Sequence, residues 1–382
     1  MKKFSLLSLI LVFVLLFSSL AFAEEAGIGS IEFIPLEVDD TDEVQPLEGI
    51  GPEGQEPAGV DALQGLITEE DAAAIREAGY KAVLCLHTMN ADWSLLQKAG
   101  VEAVLAEYNI ELLAVTDAQE DPEKQVGDYE SAIAMNPDLI ITIPLDANAA
   151  AEPLRKAVEK GIKLSFIDSV PTGFVAGQDY AGMATADNYA NGRVSGELLA
   201  EKLDGKGKVA VIGPKYAQFH TEQRTQGALD ALAKYPDIEI VTQQQAADAN
   251  EAATVTEGIL IAQPDLDGIW TFWDAIGMAS AGVINNQGKD VIVTSVDLSE
   301  DSAYSIASNG ALVGIGAQHP YDQGVAEALL GVAALAGKET PSYVLVPGEK
   351  VSRKSMERSW NRVFRSPVPD EIAAALAVDP EE

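Results

Sequence analysis

The chain has 382 residues, 47 % of them apolar, and a formal net charge of −35. That length allows two domains, each with a sizeable core. A field of this sign repels nucleic acid and anionic membrane surfaces, and an anionic ligand would need local cations to overrule it.

The first residues read as an export leader. Lys2 and Lys3 form a basic start, Phe4–Leu20 is apolar, and Ala21-Phe22-Ala23 is a small-x-small cleavage site. A retained membrane anchor is the competing reading; the Ala-x-Ala end and the acidic sequence after it argue against that. No other run reaches the roughly 18 apolar residues of a spanning helix. Losing the leader removes two lysines and no acid, which moves the charge to about −37. The expectation is a freely soluble exported protein, periplasmic in a two-membrane bacterium and cleaved near Ala23. Cys85 is the only cysteine, so no intrachain disulfide can form. It sits inside an apolar strand pattern, where a thiol is structural rather than reactive.

Glu24–Asp71 holds fifteen acids and no Lys or Arg, with Gly and Pro throughout. It reads as a disordered acidic extension, ending in a short helix at Glu69–Gly79 capped by Thr68. From Lys81 a βα alternation begins. Strands are predicted at Ala82–Leu86, Glu111–Thr116, Leu139–Ile143, Lys163–Ile167 and Asp179–Ala186, with helices at Ser94–Glu107, Pro122–Met135 and Ala149–Glu159. Asp187 caps a helix to about Leu203, and the alternation repeats. The second strands are Lys208–Ile212, Glu239–Gln243, Gly268–Phe272, Val291–Val296 and Ala311–Gly316. Their helices are Thr221–Lys234, Glu251–Ile261, Ala275–Asn285, Glu300–Ser308 and Gln323–Ala336. The fold class is α/β, two similar halves each built on a parallel, doubly wound sheet. After Val351 the chain turns basic, with Arg353, Lys354, Arg358, Arg362 and Arg365 beside Trp360 and Phe364. This tail either docks as an amphipathic segment or pairs with the acidic extension, and docking is the favoured reading.

Enzyme signatures are missing. No GxGxxG follows the first strand, and there is no GxxxxGK[ST] and no GxSxG. His87, His220 and His319 lack metal-ligand spacing, so neither a metal nor a cofactor is expected. What remains is a set of polar and aromatic residues at strand carboxyl ends, where open α/β sheets bind ligands. The first half offers His87, Asn90, Asp92, Trp93, Asp146 and Asp168; the second offers His220, Arg224, Trp273, Asp274, Asp297 and Gln318. Aromatic faces stack on the C–H faces of a polyhydroxylated ligand while carboxylates, amides and Arg bond its hydroxyls. Trp270 and Trp273 stand three apart at a strand end, which favours Trp270 in the core and Trp273 in the cleft. Asp274 could equally be a helix N-cap, and Asp187 reads as a hinge cap.

These residues carry a resemblance. "HTMNADW" after the first strand, "PLDANA", "FIDSV", "TADNYANGR", "HTEQRTQGALDAL", "WTFWDAIGMASAGV", "VTSVD" and "GAQHPYDQG" come in the order and spacing of the periplasmic binding proteins of the ribose-binding type, over about Lys81–Lys350. The resemblance implies two Rossmann-like lobes joined by three crossings, which close on a ligand by hinge motion. It implies a solute-binding protein that captures a sugar-like ligand and delivers it to an ABC transporter permease, as a monomer and without nucleic acid. A chemoreceptor is a further partner it brings in, through a ligand-presenting sensory role. An α/β enzyme acting on a small polar substrate is the reading from a different class, opposed by the missing motifs. By resemblance the ligand-binding residues are His87, Asn90, Trp93, Asp168, Arg224, Trp273, Asp274, Asp297 and Gln318. The chain departs from the ribose pattern at Ser169, where an arginine is usual, and at Ile143 and Trp273, where asparagines are usual. The implied partition is a leader at 1–23, the extension at 24–71, a first lobe at 72–187 plus 319–340, a second lobe at 188–318 plus 341–351, and the tail at 352–382.

Overall fold

The structure, a computed structural model, describes residues 47–216 and 218–378. The expected leader and cleavage site, and the extension up to Pro46, lie outside the described residues. Among the described residues no helix is long and apolar enough to cross a membrane.

The first sheet is seven-stranded and parallel, in the order β1-β12-β6-β5-β4-β2-β3. Its inner strands are β2 (Lys81–Leu86), β4 (Leu139–Thr142), β5 (Lys163–Ile167) and β6 (Met183–Ala186), flanked by β3 (Glu111–Asp117). After an exposed leading lysine in β2 and β5, each inner strand is an apolar or small-residue run because helices cover both faces; Val83, Leu84, Cys85 and Leu86 are all fully buried. Burial pushes the Cys85 thiol up to about 12, as suits a structural residue. The helices are α1 (Glu69–Ala78), α2 (Asp92–Glu107), α3 (Pro122–Ala134) and α4 (Ala151–Glu159). Thr68 and Asp71 close a reciprocal capping box at the start of α1.

At Asp187 the chain leaves this lobe. The Asp187 carboxylate accepts from the Ala190 N–H (2.9 Å) and caps α5 (Asn188–Lys202), the hinge-cap role expected for it. The second sheet runs β13-β11-β10-β9-β7-β8. It contains β7 (Lys206–Pro214), β8 (Asp237–Ala246), β9 (Gly268–Thr271), β10 (Ile292–Val296) and β11 (Leu312–Ala317). Its helices are α6 (Phe219–Leu232), α7 (Ala249–Ala262), α8 (Asp274–Gln287) and α9 (Glu300–Ala307). Trp270 is buried on β9 with its indole N–H donating to Ser195 Oγ (2.8 Å), so it belongs to the core. After β11 the chain returns to the first lobe as α10 (Pro320–Leu335), which starts three residues earlier than the sequence suggests because Pro320 occupies its first turn.

Three expectations change. Pro341–Val351 does not all join the second lobe: β12 (Tyr343–Val346) pairs parallel with β6 in the first sheet, and only β13 (Glu349–Ser352) pairs with β11 in the second. The apolar "YVLV" run is buried at every position, which an inner strand requires. The predicted strand Asp179–Ala186 shortens to Met183–Ala186 behind an isolated bridge between Ala176 and Tyr180.

The acidic extension is also ordered from Leu47 onward. Ala58–Gly59 (β1) covers the edge of β12, which would otherwise leave unpaired backbone groups, and Leu63 is buried in the following 3₁₀ turn. Leu47 packs on the first-lobe core. The Glu48 N–H donates to Asp187 (2.7 Å), Arg193 of α5 donates to the Glu48 carboxylate (2.6 Å), and Gln223 of α6 donates to the Ile50 carbonyl (2.7 Å). Disorder follows from composition only when nothing is available to pair; here one cation and one open strand edge suffice.

The tail docks on the second lobe. Its helices α11 (Met356–Phe364) and α12 (Asp370–Leu376) bury Met356, Trp360, Val363 and Ile372 in that core. Arg353 donates to the carbonyls of Ala307, Ala375, Leu376 and Val378, and so satisfies the ends of α9 and α12 together. Arg365 reaches back to the first lobe, paired with Asp322 and stacked 4.1 Å over Tyr321. Trp360→Ala should therefore lower unfolding free energy by about 3 kcal/mol, as deletion of a buried aromatic does. Denaturant unfolding measures this, and an unchanged midpoint would show that the tail is free.

Candidate functional site

The two sheets meet the crossings at their carboxyl ends, and the strand-end residues gather there. Asp168 follows β5 and Asp297 follows β10. Both sit in the left-handed backbone region, with φ of 53° and 78°. Non-glycine residues adopt it rarely and Asp tolerates it best. The turn swings the carboxylate off the strand axis at equivalent places in the two lobes. Such backbone cost is retained mainly where the side-chain position matters.

Arg224 of α6 is the cation of the site. It is 5 % exposed and spends three donor contacts at once. Its Nε donates to Asn188 Oδ1 (2.8 Å), and its Nη1 donates to Asp297 Oδ2 (3.0 Å) and to the Phe272 carbonyl (3.4 Å). The other Asp297 oxygen accepts from Gln318 Nε2. The guanidinium is held there by backbone proximity: a Cβ at Gly192 of α5 would overlap the Arg224 carbonyl oxygen, so only glycine lets α5 and α6 approach this closely.

Two further acids face this pair. Asp168 is buried and bonded to Thr185; burial, opposed by Thr185 and Arg224 and reinforced by Asp297, pushes it up to about 6. Asp274 is buried at the first turn of α8 and hydrogen-bonded to Ser299; burial and then the Asp297 charge push it up to about 7. Asp274 is not the N-cap. That position is Trp273, whose side chain makes no capping bond. The histidines respond in the opposite direction. Burial lowers His87 to about 4 and His220 to about 3, and His220 also feels Arg224 and His87. Both are neutral at physiological pH, so the 3.8 Å approach of His87 Nε2 to Glu120 is not an ion pair.

His87 and Trp93 form one unit, an edge-to-face pair with ring centroids 5.5 Å apart. His87 Nδ1, Trp93 Nε1 and Asp168 Oδ1 are buried polar atoms with no partner among the described residues. Groups of this kind call for an explanation, since each leaves a hydrogen bond unmade. The structure thus brings together His87, Trp93, Asp168, His220, Arg224, Asp274, Asp297 and Gln318. It leaves Asn90 exposed, with its backbone N–H bonded to Thr88 Oγ1 (3.2 Å), and Trp273 is 42 % exposed. Asp146 caps its own turn through the N–H groups of Asn148 and Ala149. Among the described residues no cluster of His, Cys, Asp and Glu could hold a metal. A surface groove of about 640 Å³ beside β7 and β8 contains none of these residues.

Sequence reasoning missed Asn188, Thr185 and Glu120. Asn188 was visible inside "TADNYANGR", one residue after a helix cap, but nothing there said that its amide would face Arg224, 36 residues later. It also did not single out Gln97 and Gln323, two helix amides that are fully buried.

Comparison with known proteins agrees with this layout. The model of the periplasmic binding protein domain matches residues 82–339. The chain is 27 % identical to the ribose import binding protein of Bacillus subtilis over 58 % of this chain and 71 % of that one. It is 28 % identical to the D-allose-binding periplasmic protein of Escherichia coli, covering 73 % and 91 %. A solved ABC transporter periplasmic solute-binding protein from Actinobacillus succinogenes, with bound D-allose, superposes with a TM-score of 0.66 at 28 % identity, over 73 % of this chain and 99 % of that one. With the two crossed parallel-sheet lobes and a family match over most of its length, the chain belongs to the periplasmic binding protein domain family.

Proposed function

We propose that this protein is an exported solute-binding protein that captures one small sugar or polyol between its lobes and delivers it to an ABC transporter permease. The observation that carries the reading is the mixed hydrogen-bonding inventory at the lobe junction. Arg224, Asp297 and Gln318 form a fixed donor–acceptor set, while His87 Nδ1, Trp93 Nε1 and Asp168 Oδ1 stand buried and unpartnered beside it. A hydroxyl both donates and accepts, so a polyhydroxylated ligand can answer all of these atoms at once. A site built this way also rejects analogues lacking the hydroxyl, because its buried groups would stay unpaired.

In this mechanism Trp93 and Trp273 stack on the ligand's C–H faces, and Asp168, Arg224, Asp297 and Gln318 bond its hydroxyls, with His87, Asn90 and Asp274 completing the walls. Closure joins surfaces of both lobes, and the composite surface is what the permease reads. The ribose and D-allose named for the relatives supply the ligand class. The missing arginine at Ser169 and the ring at Trp273 favour a ligand other than ribose. Export to the periplasm, cleavage near Ala23 and a monomeric carrier complete the proposal.

A thermal-shift screen of sugars and polyols tests the ligand class. A true ligand at 100 times its Kd should stabilise by about 2.7 kcal/mol, and a screen with no shift rejects the class. Against the ligand so found, Asp297→Ala and Trp273→Ala should each weaken binding by at least about 2 kcal/mol, as truncation of a desolvated anchor does. Unchanged affinity in both removes these residues from the site.

A pH series tests the charge assignment. Asp274 titrates at about 7 when folded, against an ordinary 3.8, so the folded state binds the extra proton between those values. Its contribution to stability is therefore most favourable below about pH 4 and declines as pH rises through 7. Asp274→Asn should match the wild-type melting temperature near pH 4 and exceed it by on the order of several degrees above pH 7. A constant difference across the range would contradict the assignment.

A further inference from the structure

The chain passes between the lobes at Asp187, at Gln318–His319 and at Pro347–Gly348. Leu47–Ile50 makes a further connection that is not covalent, and it lies ahead of the matched domain at residues 82–339. Both feet of this stretch stand on the first lobe. Leu47 packs on the first-lobe core, which includes Leu345 of β12. Beyond Ile50 the chain turns, with the Gly51 N–H on the Gln55 carbonyl (2.9 Å), and Ala58–Gly59 then pairs with Val344–Leu345.

Between those feet the stretch reaches the second lobe twice. Arg193 Nε of α5 donates to the Glu48 carboxylate (2.6 Å), and Gln223 Nε2 of α6 donates to the Ile50 carbonyl (2.7 Å). Gly49 is buried between the lobes. A Cβ there would lie 3.2 Å from Leu345 Cδ1 and from Asp187 Oδ1, and 3.3 Å from Gln223 Oε1. A residue without a side chain lets the backbone lie this close to both lobes at once.

These contacts adjoin the candidate site. Gln223 precedes Arg224 on α6, and Asp187 precedes Asn188, whose amide oxygen accepts from Arg224. Helix α6 begins beyond the carboxyl end of β7, where the cleft lies. A hinge motion that swings the second lobe away carries Arg193 and Gln223 with it, while Leu47 and Ala58–Gly59 stay with the first lobe. The Glu48 N–H bond to Asp187 (2.7 Å) survives such a swing, because Asp187 is itself a crossing.

We propose that Leu47–Ile50 is an intramolecular strap that restrains lobe opening, through the Glu48–Arg193 and Ile50–Gln223 bonds, which hold the second lobe to the first and break when the lobes part. Losing one hydrogen bond of this kind shifts a two-state equilibrium about fivefold. The restraint stands on its own geometry. Its consequence for capture, a smaller open population and a tighter apparent affinity, rests on the function proposed above.

The test is therefore read without a ligand, as a distance between lobes in the full chain. Glu123→Cys at the start of α3 and Asn250→Cys at the start of α7 are exposed positions, one on each lobe, for nitroxide labels; Cys85 is buried and stays unlabelled. In double electron–electron resonance, Glu48→Ala and Gln223→Ala should each raise the ratio of long to short distances about fivefold over the labelled parent. Each variant cuts the strap from a different lobe, so a folding defect in one leaves the other to decide. Glu197→Ala is the control, since Glu197 pairs with Arg193 (2.8 Å) and Lys234 (3.3 Å) inside the second lobe. Distributions equal to the parent in both strap variants overturn the proposal, and so does an equal lengthening in Glu197→Ala. D-allose is then added as a probe of the separate reading. A strap that opens as stated in a protein that no sugar or polyol stabilises would reject the ligand class alone.

Discussion

The Arg224–Asp297 pair is the interaction on which the rest of the site depends. Two buried acids, Asp168 and Asp274, meet the partly buried Asp297 in a protein that already carries a large negative charge. One guanidinium offsets them. Burying an ion pair gains little by itself, because desolvation consumes much of the attraction; the remaining lone pairs and protons must also be satisfied. Here Asn188, the Phe272 carbonyl and Gln318 do that. The pair is held from three sides, by the first residue of α5, by the loop after β9 and by the second crossing. Two of these, the start of α5 and the second crossing, are places where the chain enters or leaves the second lobe, so the charge arrangement and the crossings are parts of one structure.

The two lobes repeat one device. Each ends a central strand in an Asp at positive φ, and each packs two helices through glycines at backbone contact: α2 on α10 in the first, α5 on α6 in the second. Close helix approach fixes what those helices carry. In the second lobe that is Arg224; in the first it is the Gln97–Gln323 contact. The repetition breaks in protonation. The second lobe pairs its central carboxylate directly with a cation, whereas in the first burial raises Asp168 against a weaker pull from Arg224, and burial and the Asp168 charge raise Glu327.

The segments outside the two sheets are tied to the same hinge. Leu47–Ile50 bonds to Asp187, Arg193 and Gln223, and the tail's Arg365 bonds to Asp322 next to the second crossing. Chain that composition marks as accessory therefore sits where the lobes are joined. The buried cluster that Trp360 anchors explains why a basic tail folds onto an acidic body: its apolar face is buried in the second-lobe core.

Much of this was legible in the residues. The alternation of apolar runs and amphipathic stretches marked the parallel sheets, since a strand covered on both faces must be apolar throughout. The strand-end rule picked out His87, Trp93, Asp168, Arg224, Asp297 and Gln318, because an acid or cation ending an apolar strand has few bland explanations. The sequence could not show where Pro341–Val351 divides between the sheets, that the stretch from Leu47 is ordered, or that Asn188 meets Arg224 and Gln97 meets Gln323. Local periodicity determines which face of an element is buried. It says nothing about which buried amide meets which partner: Asn188 and Arg224 lie 36 residues apart and Gln97 and Gln323 lie 226 apart, and they meet only where helices pack at glycine distance.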